Sequence, residues 1–411
     1  MQNQQWITPG QFLLPKENIP FSTWACIACD QYTHSKSYWQ NVAQFVGTNP
    51  STLNLMLPEV NLDNEDKLIP VVQENMKKYL ADNIFNTYDS SYILVERNTP
   101  AGARLGLVCL VDLEAYSIVK DTPSPVRPTE DIVVSRLPAR TKIRKNATLE
   151  LSHVLMLMDD VAHSVIEPIY AKKDTLTKVY DFPLMFNGGH LVGYVVNDPA
   201  DIASIDQAIY ALGQQKNNDF VFAVGDGNHS LAAAKAYWEE CKSTLSSAEL
   251  ANHPARYAMV ELENIHDDAL IFEPIHRVLM GFDGDDLLNE LALYSSKHGI
   301  NLTEQGITCI YEGKAVEFNL HQDGDTMPVE GLQRFLDEFV AKHPNCTLDY
   351  IHGDEEVKKL SQNPKTIGFL LPALDKSTFF ERLVDKGTMP RKTFSLGHAT
   401  DKRYYMECRK L

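Results

Sequence analysis

The stretch GDGNHS, residues 225–230, combines residue types and spacing suited to chemistry. It stands between the β-forming run DFVFAV (219–224) and the strong helix formers LAAAKAYWEEC (231–241), which predicts strand, loop and helix in succession. Glycine permits the backbone turns that aim several N–H groups into one concavity. The helix start adds unpaired donors and the positive end of a dipole, a place that suits phosphate or carboxylate. On this reading Gly225, Gly227, Asn228 and Ser230 hold an anion against the amides of 227–230, and His229 orients or neutralises it. Asp226 serves as a base toward a hydroxyl substrate or as a magnesium ligand. A plainer reading stands beside this one, because Asp-Gly is a common turn and Ser230 or Asn228 can simply cap a helix. The spacing is neither that of a Walker loop nor G-x-G-x-x-G.

A moving phosphoryl group needs positive charge around it more than it needs covalent chemistry. Arg136, Arg140, Lys142, Arg144 and Lys145 offer that charge within one stretch, and an extended backbone over 140–144 puts Arg140, Lys142 and Arg144 on one face. The alternative is a solvated strand edge guarded by cations. A second basic set, Arg391, Lys392, Lys402 and Arg403, lies near the C-terminus, where salt bridges to abundant carboxylates are the plainer role. His276 and Arg277 follow an apolar run and fit either a ligand contact or a buried, hydrogen-bonded pair. Asp30 follows the Cys26-x-x-Cys29 pair and offers a further carboxylate or a turn residue; the two cysteines read as ordinary thiols. His153, Asp159, Asp160 and His163 lack metal-ligand spacing, so no metal site is assigned, and no G-x-S-x-G elbow appears.

The elements that must position these groups are mixed α and β. Strands are expected at 91–96 and 105–113, a hairpin over 178–196 turning at NGGH, and helices over 63–81, 199–215 and 328–342. The 411 residues carry 38 Lys plus Arg against 55 Asp plus Glu, a net charge of −17 that argues against a general nucleic-acid or anionic-membrane binder. No run reaches the ~20 apolar residues of a membrane span, and the N-terminal stretch lacks a signal-peptide pattern. Seven dispersed cysteines read as reduced thiols, and a cytoplasmic location is expected. The expected division is a core over 1–280 and a smaller C-terminal α/β lobe over 281–411, broken at the GFDGDD turn.

VFAVGDGNHSLAAAKAYW resembles the signature of the Domain of Unknown Function 1015 family. WACIACDQYTHSKSYW, RLGLVCLVDLEAY, LPARTKIRKNATLELSHVLMLMDD, ALIFEPIHRVL and RKTFSLGHATDKRYYMECRKL support the resemblance along nearly the whole chain. The loop is also similar to the G-x-H-R motif of the ParB/sulfiredoxin-like fold, whose members include nucleotide-binding partitioning proteins, sulfiredoxins and free-serine kinases using ADP or ATP. The resemblance implies a ParB/sulfiredoxin-like nucleotide-binding core. Gly227, Asn228 and His229 match G-x-H, whereas Ser230 stands where Arg is expected and removes a bidentate phosphate donor. Asn228 stands where sulfiredoxins place a reactive cysteine, which argues against peroxiredoxin repair. The implied activity is phosphoryl transfer between a nucleotide and a small hydroxyl compound such as serine, with ADP or ATP and magnesium as cofactors. Two other readings remain open: a non-catalytic nucleotide or metabolite sensor, and an interaction protein with an acidic surface.

Overall fold

SYILVE and LGLVCLVDL contain almost no polar break because both faces of the strands they form are covered. The computed structural model describes residues 5–33, 35–119, 122–132, 137–216, 219–322 and 324–411, and places these runs in the antiparallel strands Phe85–Thr99 and Gly102–Asp112. Successive side chains point to opposite faces. Tyr92, Leu94, Leu107, Cys109 and Val111 therefore enter one apolar core, and Ile93, Val95, Val108 and Leu110 enter another.

These strands are central in a ten-stranded sheet. It continues one way through Tyr257–Asn264, Leu155–Met158, Phe222–Asp226 and Val126–Pro128, and the other way through His190–Val196 and Thr177–Pro183. The last two are the expected hairpin, and its turn uses positive φ at Phe186, Asn187 and Gly189. Helices Pro199–Gln215 and Asn228–Lys242 line the first core; Lys36–Val46 and Glu65–Ala81 line the second. Phe222–Asp226 runs antiparallel to Leu155–Met158 and carries one extra residue between Val224 and Asp226, a bulge that redirects the strand end.

The stretch 140–144, expected to be extended, is instead the second half of helix Leu137–Arg144. Ala, Arg and Lys favour helix, and each cation meets a carboxylate from that geometry. Arg140 pairs with Glu59, Lys142 with Asp66 and with Glu65 at 3.5 Å, Arg144 with Glu150 at 2.6 Å, and Lys145 with Glu240 at 2.6 Å. Arg140 and Arg144 are one turn apart and share a face; Lys142 does not join them.

The chain forms two compact units, residues 1–271 with 399–411, and residues 272–398. The division expected at 280 falls at the end of strand Phe272–Met280, and the last segment belongs to the first unit. The second unit has its own antiparallel sheet, ordered Lys314–His321, Asn301–Tyr311, Thr366–Leu370, Phe272–Met280 and Thr347–His352. Helix Pro328–Lys342 buries Val329, Leu332, Phe335, Leu336 and Phe339 against this sheet's core at helical spacing. Among the described residues no helix is long and apolar enough to cross a membrane.

Candidate functional site

The expected strand–loop–helix at 219–241 forms, with Phe222–Asp226 leading through Gly227 into helix Asn228–Lys242. Gly227 takes φ +78°, and a Cβ there would stand 3.0 Å from Val154 Cα and 3.4 Å from His153 Cδ2. Glycine is thus required twice, for its backbone conformation and for the close approach. Gly227→Ala is expected to cost about 2 kcal/mol. Chemical unfolding measures this, and a loss no larger than that of a surface substitution would mean the loop re-forms with negative φ.

Not every group of the loop is available to a ligand. Gly227 N–H donates to its neighbour's Asp226 Oδ1 at 2.8 Å and so leaves the expected cradle. Asn228 is buried and serves the fold: Oδ1 accepts from Thr129 N–H at 3.1 Å, while Nδ2 donates to Thr129 Oγ1 at 3.0 Å and to the Val224 carbonyl at 3.3 Å. It latches the helix start to the neighbouring strand end, and the anion role expected for its side chain is corrected accordingly. The first amide bonded inside the helix is that of Leu231, to the Gly227 carbonyl at 3.0 Å. The amides of 228–230 precede it and have no acceptor within the helix, as at any helix start. His229 and Ser230 occupy that first turn, partly exposed, and Gly225 sits at the bulge.

Around this loop the chain assembles a chain of polar contacts. Lys402 Nζ lies 3.0 Å from Asp226 Oδ2 and is itself buried. Magnesium takes oxygen ligands; both Asp226 oxygens already hold a donor, and among the described residues no cluster of three or more His, Cys, Asp or Glu side chains is placed to hold a metal ion. His153, 3% exposed, contacts Tyr405 OH through Nδ1 at 2.7 Å. That hydroxyl also donates to Cys29 Sγ at 3.2 Å and accepts from Cys29 N–H at 3.3 Å. His153 Nε2 has no hydrogen-bond partner, and its nearest charge is Asp30 Oδ2 at 3.5 Å. Burial disfavours the charged imidazole, but Asp30, the Cys29 sulfur and Asp226 outweigh it and hold His153 up at about 9. The ring is a cation at neutral pH, with Nδ1–H given to Tyr405. Arg140 belongs to the same electrostatic neighbourhood: burial opposes its charge, and Glu59, Cys29 and Asp30 more than offset that.

Asp30, Arg140 and the loop are therefore brought together, joined by Lys402 of the second basic set. Lys142 and Arg144 are spent on Asp66, Glu65 and Glu150. His276, Arg277, Arg391 and Lys392 belong to the second unit. His276 is the buried, satisfied histidine of the plainer reading: Nδ1 accepts from Leu371 N–H at 3.1 Å, Nε2 meets Asp354 Oδ1 at 2.8 Å, and burial lowers its pKa. Arg277, wholly buried, clamps the carbonyls of Lys392 and Arg391 at 2.8 and 3.0 Å and meets Gln333 Oε1 at 3.1 Å. Arg391 pairs with Asp337, and Lys392 is exposed with φ +57°. Arg136 lies outside the described residues.

The His153, Asp159, Asp160 and His163 group separates. Asp159 pairs with Lys216 and His266, Asp160 bonds the amides of Ser164 and Val165, and His163 pairs with Glu167. Tyr405 and Cys29 carried no sequence signal for this role, since one follows the charged run DKR, where only the cations drew notice, and the other lies in an ordinary-looking thiol pair.

The model of the family described as protein of unknown function (DUF1015) matches residues 7–358. The chain belongs to that family. No curated protein sequence matches it. Among solved structures it is similar to a free serine kinase in complex with AMP, at TM-score 0.40 and 12% identity, covering 73% of this chain and 90% of the kinase. SbnI with a C-terminal truncation from Staphylococcus aureus aligns at TM-score 0.36 and 11% identity over 70% of this chain and 81% of its own. A conserved hypothetical protein from Pyrococcus furiosus aligns at TM-score 0.37 and 12% identity over 74% and 94%. These overlaps are too loose to transfer chemistry to this member of the DUF1015 family, whose reading rests on its own residues.

Proposed function

We propose that this protein binds a nucleotide or phosphorylated metabolite at the start of helix Asn228–Lys242 and transfers a phosphoryl group to or from a small hydroxyl compound, serine being the first candidate. The observation that carries the reading is the placement of the Asp30–His153 pair against the Gly227 turn. A cationic imidazole stands beside the start of this helix together with Lys402 and Arg140, which are ion-paired with Asp226 and Glu59, and the positive end of the helix dipole favours an anion there.

Asp226, held by Lys402 and Gly227 N–H, serves to orient the loop. The base is Asp30, which reaches solvent with 17% of its side chain exposed. In the forward step the substrate hydroxyl oxygen forms a bond to the transferred phosphorus as the bond to the leaving phosphate oxygen breaks. The hydroxyl proton passes to the Asp30 carboxylate, and His153 and Arg140 offset charge on the phosphoryl oxygens. The sensor reading draws on the same Lys402–Asp226 pair and on Ser230 in place of an arginine, and differs in expecting binding without turnover.

Isothermal titration with ADP, ATP and O-phosphoserine, and phosphorus NMR of ATP with serine, test both. Saturable binding is expected for at least one nucleotide. Asp30→Asn is expected to keep nucleotide affinity within about threefold while turnover falls on the order of a hundredfold. Binding of none of the three ligands overturns the proposal; binding with no transfer in either direction leaves the sensor reading.

A further inference from the structure

A cavity of about 420 Å³ lies wholly in the second unit and shares no residue with the candidate site at Gly227. The chain creates it where it leaves the sheet. After strand Thr366–Leu370, the segment Leu371–Asp375 contains Pro372 and adds no further strand. It runs to helix Phe379–Lys386, which buries Phe379, Phe380 and Leu383 and turns Glu381 and Asp385 toward the cavity. The start of helix Pro328–Lys342 forms the opposite wall.

The walls are held from within. Arg382, 7% exposed, donates to Thr326 Oγ1 at 3.1 Å and to the Gly387 carbonyl at 3.0 Å, and pairs with Glu330. Glu330 also accepts from the amides of Thr326 and Met327 at 2.7 and 3.0 Å. This network ties the two helices together without a ligand, so the cavity is built before anything enters it.

Its chemistry is uneven. Val329 and Leu371, both buried, give an apolar floor with Leu374 beside them. Glu381 and Asp385 stand one turn apart at the mouth, exposed, a like-charged pair that disfavours the helix by itself. Arg382 cannot neutralise them because Glu330 holds it, and Lys386 is the other cation of the lining. Asp375 adds a third carboxylate. The mouth is therefore negative over an apolar interior, and the volume lies within the range of small-molecule pockets.

We propose that this cavity binds a small molecule with an apolar ring system and a single protonated amine, the ring on Val329 and Leu371 and the amine at Glu381 and Asp385. The site is independent of the phosphoryl-transfer reading, because no residue is shared.

Calorimetric titration of the full chain with tryptamine, tryptophol and indole-3-acetate separates ring from charge. Tryptamine is expected to bind one site per chain, at least tenfold tighter than indole-3-acetate, with tryptophol between. The double variant Glu381→Gln, Asp385→Asn changes only exposed side chains and is expected to bring the three within about threefold. Ala373→Trp, at an exposed lining position, is expected to abolish binding while the thermal transition is kept. No saturable heat from tryptamine up to about 5 mM, equal affinity for all three compounds, or undiminished binding in Ala373→Trp each overturns the proposal.

Discussion

Replacing Arg403 with Met destabilises the first unit by about 3–5 kcal/mol. Arg403 is 4% exposed and donates to Glu261 Oε2 at 2.8 Å, to Glu407 Oε2 at 2.8 Å and to the Ser152 carbonyl at 2.7 Å. Both carboxylates are themselves almost wholly buried. Removing the guanidinium leaves two negative charges in a low-dielectric interior, where the lost Coulomb attraction is no longer set against their desolvation. The surroundings offer little relief. Burial, aided by Glu261 and Asp267, already pushes Glu263 up to about 8 although Arg104 opposes the shift. Urea unfolding measures the loss, which is expected to shrink on acidification as the stranded carboxylates take up protons. Arg403→Met combined with Glu407→Gln is expected to cost less than the sum of the single changes. A loss below about 1 kcal/mol would mean the tail docks without this cluster.

The second large effect is a pH dependence of stability centred on His153. Its folded pKa lies above the ordinary 6.5, at about 9. A raised pKa means the fold binds the proton more tightly than the unfolded chain does. The stabilisation is therefore complete below about 6.5 and is lost as pH rises through about 9, amounting to about 3 kcal/mol. It arises because the imidazolium faces Asp30, the Cys29 sulfur and Asp226, which outweigh burial. His153→Gln is expected to flatten the stability curve between these limits, and Asp30→Asn to move the midpoint downward. An NMR titration of the His153 ring that finds its midpoint at or below 6.5 removes the basis for this expectation.

The local grammar of the chain was legible. The helix expected over 199–215 forms as Pro199–Gln215, and the Asp198 carboxylate caps it by accepting from the amides of Ala200 and Asp201. The glycines of GDGNHS announced a bend between strand and helix, and Gly227 takes the left-handed φ such a bend uses. Reading 140–144 as extended failed because a run of Arg and Lys has no apolar period to choose between helix and strand. Its carboxylate partners, Glu59, Asp66 and Glu150, come from other parts of the chain. Asn228 looked like a ligand group and became a latch because Thr129 arrives beside it from a neighbouring strand end.

By itself the sequence determined the strand–loop–helix at the candidate site, the apolar strands of the two-faced sheet and the family to which the chain belongs. Apolar periodicity and turn chemistry act between residues a few positions apart, which is why one dimension suffices for them. Tertiary structure alone decided which charges meet. With 38 Lys and Arg and 55 Asp and Glu, pairing is degenerate until the chain path selects it. The path carries Lys402 to Asp226 and Arg403 into the interior, and keeps Arg391 and Lys392 with the second unit. It also joins Asp30 to His153, and builds a cavity from the start of one helix, a second helix and a segment between them that no local pattern links.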